Sequence, residues 1–252
     1  REHRPRSSHG SLFSPAQLNP LNLNPLRDIL QRHVDVALLR SGPVKLFITA
    51  TAVKTGQARV FTGQDLSVDA LLASACLPQL FQTVQIDGEA YWDGGYSGNP
   101  ALWPLIYGTG TDDVVLVQIN PLQRDHLPVT AMEIADRVNE ITFNASLVSE
   151  MRAIAFVQRL LREERVDRSR YKDMRLHRIA DEAGLSVYGA ASKQNADPRL
   201  LQALFGLGRR AGQAWLAEHF DAVGQRSTVD VGDVFLTQRA ARKVGGEGAA
   251  KA

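Results

Sequence analysis

The sequence predicts an α/β fold. Lys45 to Val53 (KLFITATAV) and Val114 to Ile119 (VVLVQI) are apolar, β-branched runs of the kind that sit inside a sheet. Val84 to Tyr91 (VQIDGEAY) alternates around Asp87-Gly88, a pair suited to a two-residue hairpin turn with positive φ. A long helical segment opens with Thr130 and Glu133 as a capping box. Its apolar positions Ile134, Val138, Ile141, Ala145, Val148, Met151 and Ala155 hold a helical period to about Leu161. Strands near 44–53 and 114–119 are expected in the interior of one sheet, with this helix beside it.

The remaining elements follow in order. Residues 13–25 (FSPAQLNPLNLNP) carry three prolines and three asparagines among apolar residues, the mark of a packed connector rather than a helix or strand. Asn24 can cap a short helix with Pro25 at its first position. Thr55-Gly56 turns the first strand into a partner near Ala58 to Thr62. Ser67 caps a helix over Val68 to Ala75, which Pro78 stops. Beyond Glu164 the chain is polar to Lys172, and Arg175 to Ile179 suits a short strand. Leu200 to Phe220 supports one or two helices, with Gly206 and Gly208 marking a break. Residues 239–252 form a Gly/Ala/Lys/Glu tail expected to be disordered.

Composition narrows the function classes. The 252 residues are 44% hydrophobic and 22% charged, which excludes a fibrous or disordered chain. A net charge of +2 is no footprint for nucleic acid, so no nucleic-acid partner is expected. Cys76 is the single cysteine, which excludes an intrachain disulfide and a cysteine metal cage. No H-E-x-x-H motif or acidic metal cluster is present in the sequence, and neither a metal nor a cofactor is expected. Residues 1–14 (REHRPRSSHGSLFS) lack an initiator Met and a secretory pattern. They read as an exposed interior loop, so the chain is expected to be a fragment.

The chemistry concentrates in Ser74 to Pro100 (SACLPQLFQTVQIDGEAYWDGGYSGNP). The second strand of the hairpin delivers Asp93 at its end, followed by Gly94 and Gly95. Residues without Cβ allow unusual φ or a close approach by another backbone or a ligand. A carboxylate held there can act as a general base. On those three letters alone, a turn is the more frequent explanation.

The longer pattern of Ala73, Ser74, Pro78 and Phe81, then the hairpin, then Tyr91, Asp93, Gly94, Gly95, Asn99 and Pro100, closely resembles the patatin-like phospholipase family. The resemblance implies a three-layer α/β/α fold with a mostly parallel sheet and a mainly helical C-terminal extension, as in a bacterial subset of that family. It divides the chain into 1–14, an exposed start; 15–125, the second half of a patatin-like domain; 126–238, the extension; and 239–252, the tail. It further implies a lipid acyl hydrolase working through a Ser–Asp dyad, in which Asp93 is the general base and Gly94 and Gly95 support it. A patatin-like acyltransferase, or an inactive scaffold that keeps the fold, are the alternatives.

The nucleophile that such a dyad needs has no match in this chain. Gly95-Tyr96-Ser97-Gly98-Asn99 is the nearest approach to G-x-S-x-G and fails at its last position. Ser97 reads as a turn serine, and His9-Gly10-Ser11 lies in a polar start with no strand before it. The serine is therefore expected in a missing N-terminal part, and this chain alone is expected to be inactive. His33, His126, His177 and His219 suit surface or capping roles, and Asp112-Asp113 reads as a solvated loop. Leu77, Leu80, Phe81, Tyr91, Trp92 and Trp103 would suit an acyl chain or an ordinary core equally. The expected partners are a lipid or acyl-ester substrate and a peripheral membrane surface, and the expected location is cytoplasmic or at such a surface.

Overall fold

The computed structural model describes residues 14–124, 126–189, 192 and 195–237. The α/β class holds. Helices α1 (Pro15–Leu18), α2 (Pro25–His33) and α3 (Val36–Ser41) lead into β1 (Phe47–Ala52) and β2 (Ala58–Thr62). Then come α4 (Val68–Ser74), β3 (Val84–Ile86), β4 (Glu89–Asp93), α5 (Trp103–Gly108) and β5 (Asp113–Gln118). The rest is α6 (Ala131–Arg162), β6 (Arg175–Ala180), α7 (Glu182–Ser186) and α8 (Pro198–His219). The expected tail, and all but the last residue of the expected exposed start, lie outside the described residues.

Local chemistry explains most boundaries. The Asn24 side chain accepts the Leu26 N–H ahead of Pro25, and Ser67 accepts the Ala70 N–H at the head of α4. Thr130 and Glu133 form the reciprocal capping box that starts α6. Asp87 and Gly88 have φ of 51° and 82°, as a two-residue hairpin turn between β3 and β4 demands. The 13–25 stretch departs from expectation: Ser14 builds a capping box with Gln17, and that suffices for the single turn of α1.

The strands divide differently from the mostly parallel single sheet expected. One sheet has the order β2-β1-β4-β3 and is antiparallel at every pairing, while β5 and β6 pair in parallel as a second sheet. Strand β1 is interior, between β2 and β4, but β5 lies in the other sheet. Connection length is the physical reason. Short links make hairpins between β1 and β2 and between β3 and β4, whereas α6 intervenes between β5 and β6 and permits a parallel crossover.

Each sheet has its own core. Ala50, Phe61 and Tyr91 pack with Ala70 and Ala73 of α4. Val114, Leu116 and Leu176 pack with Leu147, Met151 and Ile154 of α6 and with Val231 and Phe235. The buried face of α6 is thus Glu140, Phe143, Asn144, Leu147, Met151, Ile154 and Leu161, while Ile134, Val138 and Ile141 are exposed. Helix α8 runs unbroken through Gly206 and Gly208, because isolated helical glycines weaken a helix by only about 1 kcal/mol each.

Two polar expectations are corrected. Asp113 is the first residue of β5 rather than part of a solvated loop, and its two carboxylate oxygens share the single N–H of Arg175 Nε while Oδ2 also accepts from Arg175 Nη2 at 2.7 Å. His177 is buried rather than at the surface. Strand alternation turns its ring toward Trp215 of α8, with Nε2 3.1 Å from Asp113 Oδ1 and Nδ1 3.1 Å from Thr228 Oγ1. The Arg175 guanidinium, acting against burial, holds the Asp113 carboxyl far below the usual carboxylate range, and the Gly224 N–H and His177 assist.

Candidate active site at the end of β4

Strand β4 ends on Asp93, opposite Ala50 in the register with β1. Its main chain is held on both sides. The Asp93 N–H donates to the Cys76 carbonyl at 2.8 Å, and the Asp93 carbonyl accepts from Thr51 Oγ1 at 2.8 Å. The carboxylate caps the 3₁₀ turn Gly94–Tyr96, with Oδ1 accepting the Gly95 N–H at 2.7 Å. Position and orientation of this half-buried carboxylate are therefore set by backbone contacts on β1, on the segment after α4 and on its own turn.

The two glycines are required by contact, since neither has positive φ. A Cβ on Gly94 would stand 2.0 Å from the Thr49 carbonyl oxygen, and one on Gly95 would stand 2.3 Å from the Phe143 ring. Of the two reasons the sequence offers for glycine here, close approach is the one that operates.

The loop after Asp93 is clamped to α6. Asn99 donates its N–H to Ser146 Oγ at 3.0 Å and its side-chain amide to the Phe143 carbonyl at 3.2 Å. Glu150 Oε2 accepts the N–H groups of Leu102 and Trp103 at 2.8 and 2.9 Å. Burial pushes the Glu150 carboxyl up, and those two N–H groups offset only part of the rise. Phe143, Ser146 and Glu150 lie far from Asp93 in sequence, and no local motif marks them. The family resemblance singled out Asn99 without giving its physical job.

Ser97 sits at the end of the 3₁₀ turn, its hydroxyl 2.8 Å from Thr51 Oγ1, in keeping with a turn serine. Tyr91 packs edge-on against Phe61 with ring centroids 5.5 Å apart, as part of the core of the first sheet. Leu80 and Trp103 are exposed beside the loop. Burial pushes the Cys76 thiol up, and the Asp93 carboxylate adds to the rise. Among the described residues there is no cluster of His, Cys, Asp and Glu that could hold a metal ion.

The model of the Patatin-like phospholipase family matches residues 12–106, a segment that contains β1 to β4, Asp93, Gly94 and Gly95. No curated protein matches the chain.

Proposed function

We propose, from the match of residues 12–106 to the patatin-like phospholipase model, that the protein is a lipid acyl hydrolase for which this chain supplies the base, Asp93. The nucleophilic serine is assigned to polypeptide outside these residues, since no G-x-S-x-G occurs in them. A serine hydroxyl needs a base to take its proton as its oxygen attacks the ester carbonyl carbon. Asp93 would accept that proton and return it to the departing alcohol oxygen. In the second half-reaction it would take a proton from water, whose oxygen attacks the acyl carbon, and give that proton to the serine oxygen as the acyl–serine bond breaks and the acid is released.

The observation that supports this most is the way Asp93 is held. Its N–H and C=O are both engaged, its carboxylate is aimed by the Gly95 N–H, and the glycines leave no room for a side chain to displace it. Positioned bases contribute roughly 10²- to 10⁴-fold to rate. Peripheral contact with a lipid surface belongs to the same reading, and the exposed Leu127, Val129 and Met132 before and within the first turn of α6 favour it. No helix among the described residues is long and apolar enough to cross a membrane.

The test uses the complete protein that carries the serine. Asp93→Asn is expected to lower acyl-ester hydrolysis by at least about 100-fold while thermal melts stay unchanged. Asp87→Asn, at the hairpin turn, should keep the rate because Asn also tolerates positive φ. The 252-residue chain alone should not turn over p-nitrophenyl esters above buffer. Equal, measurable rates for wild type and Asp93→Asn would remove the catalytic role given to Asp93, and no hydrolysis by either protein would favour the scaffold alternative.

A further inference from the structure

A cavity outside the family-matching segment lies where the carboxyl ends of β5 and β6 meet α7 and α8. Its volume is about 270 Å³, and Val117, Ile119, Ile179, Leu185, Leu204 and Leu207 are among the residues that line it. Val117 and Ile119 are 66% and 67% exposed, so the cavity communicates with solvent. The carboxyl ends of parallel strands are where open α/β sheets place their ligands.

The charged groups of the wall are already engaged. Glu140 is buried and bridged by Arg124 and Arg137, with Arg124 Nε 3.2 Å and Arg137 Nη1 3.1 Å from Oε2. Although burial pushes the Glu140 carboxyl up, the two guanidinium groups outweigh it and hold it below the usual range. Arg124 also donates to the carbonyls of Ser186 and Tyr188. Asp181 caps α7 through the Gly184 N–H at 2.8 Å. A charged ligand would therefore leave water for a wall whose Arg124 and Glu140 are already paired and whose Asp181 is taken up as a helix cap, at a cost only partly offset there. An aliphatic ligand loses nothing and gains the apolar wall.

Gly208 adds an independent observation. It borders the cavity from the middle of α8, and a Cβ built on it meets nothing within 4 Å. Packing does not demand glycine there, and helix propensity opposes it. What its missing side chain provides is open space beside Leu204, Leu207 and Ala211.

We propose that this cavity is a binding site for a small neutral aliphatic molecule, such as a medium-chain alcohol, kept open by Gly208. It rests on the cavity's own geometry and stands apart from the role of Asp93. The test measures binding of 1-octanol to the full chain by saturation-transfer NMR and calorimetry, alongside octanoate and octylammonium. Saturable octanol binding at least about tenfold tighter than either ion is expected, about 1.4 kcal/mol. Gly208→Leu should weaken octanol binding at least about tenfold while leaving or raising the melting temperature. Gly212→Leu is the control: it also meets open space, lies outside the cavity, and should bind octanol as wild type does. Absence of saturable octanol binding, equal binding by the ions, or undiminished binding by Gly208→Leu would each overturn the proposal.

Discussion

The ring of Phe143 occupies the space that a side chain at Gly95 would need, its Cε1 lying 2.3 Å from the position of a Cβ there. A helix remote in sequence therefore dictates the second glycine after Asp93. Gly95→Ala is expected to destabilise the fold by about 2 kcal/mol, within the usual cost of overpacking. In a Phe143→Leu background the same substitution should cost at least about 1 kcal/mol less. Gly94→Ala, which meets the Thr49 carbonyl instead, should gain no relief from Phe143→Leu. Denaturant unfolding of the double-mutant cycles measures the coupling, and strictly additive costs for Gly95→Ala and Phe143→Leu would refute the steric account.

Glu150 holds α5 in place through one oxygen, Oε2. Gln has an equivalent acceptor and no charge to bury. Glu150→Gln should thus keep stability within about 1 kcal/mol, whereas Glu150→Ala strands two N–H groups and should cost about 1–3 kcal/mol. The raised Glu150 carboxyl binds its proton more tightly folded than unfolded, so its contribution to stability declines as pH rises through its folded value. Stability profiles between pH 4 and 7 should lose that decline in Glu150→Gln.

Asp113 has the opposite sign. Its folded carboxyl is depressed, chiefly by Arg175, so its stabilisation is complete above the unfolded Asp value of about 3.9 and fades as pH falls below it. Asp113→Asn should destabilise the protein by about 2 kcal/mol at pH 7, less than a fully buried pair because Arg175 is partly exposed. The gap between variant and wild type should narrow in melts below about pH 4. A gap that is constant from pH 7 to pH 2 would rule out the charge as its source.

Cys76 is buried, donates to the Gln82 carbonyl at 3.1 Å and has its thiol pushed up. Its reaction with a disulfide reagent at pH 8 should be far slower than that of a free thiol and should accelerate on unfolding. Prompt labelling of the native protein would contradict the packing after α4.

What was legible in the sequence was local. Asn24, Ser67 and Thr130 cap their helices by contacts within three residues, and Asp87-Gly88 turns its hairpin unaided. Asp93 stood out because the residues that present it are consecutive. Partners distant in sequence were not legible. The burial of His177 depends on Trp215 and Thr228, and Asp113 became part of a sheet only through Arg175 and His177. The strand runs showed that β1 and β5 are strands, but edge pairing is set by connections, and these put them in separate sheets. Helix α6 buries Glu140 and Asn144 while exposing Ile134 and Val138, an inversion that hydrophobicity alone points away from.

Helix α6 carries a final consequence. Glu140 borders the cavity, Phe143 presses on Gly95, Ser146 receives Asn99, and Glu150 receives Leu102 and Trp103, all within about 15 Å of one helix. Residues 12–106, severed from that helix, would keep every letter by which they are matched and lose what secures the loop after Asp93. The Leu102 and Trp103 N–H groups would face water, and the Phe143 side of Gly95 would be empty. The stretch that sequence similarity delimits is shorter than the stretch that must fold together to hold a carboxylate still.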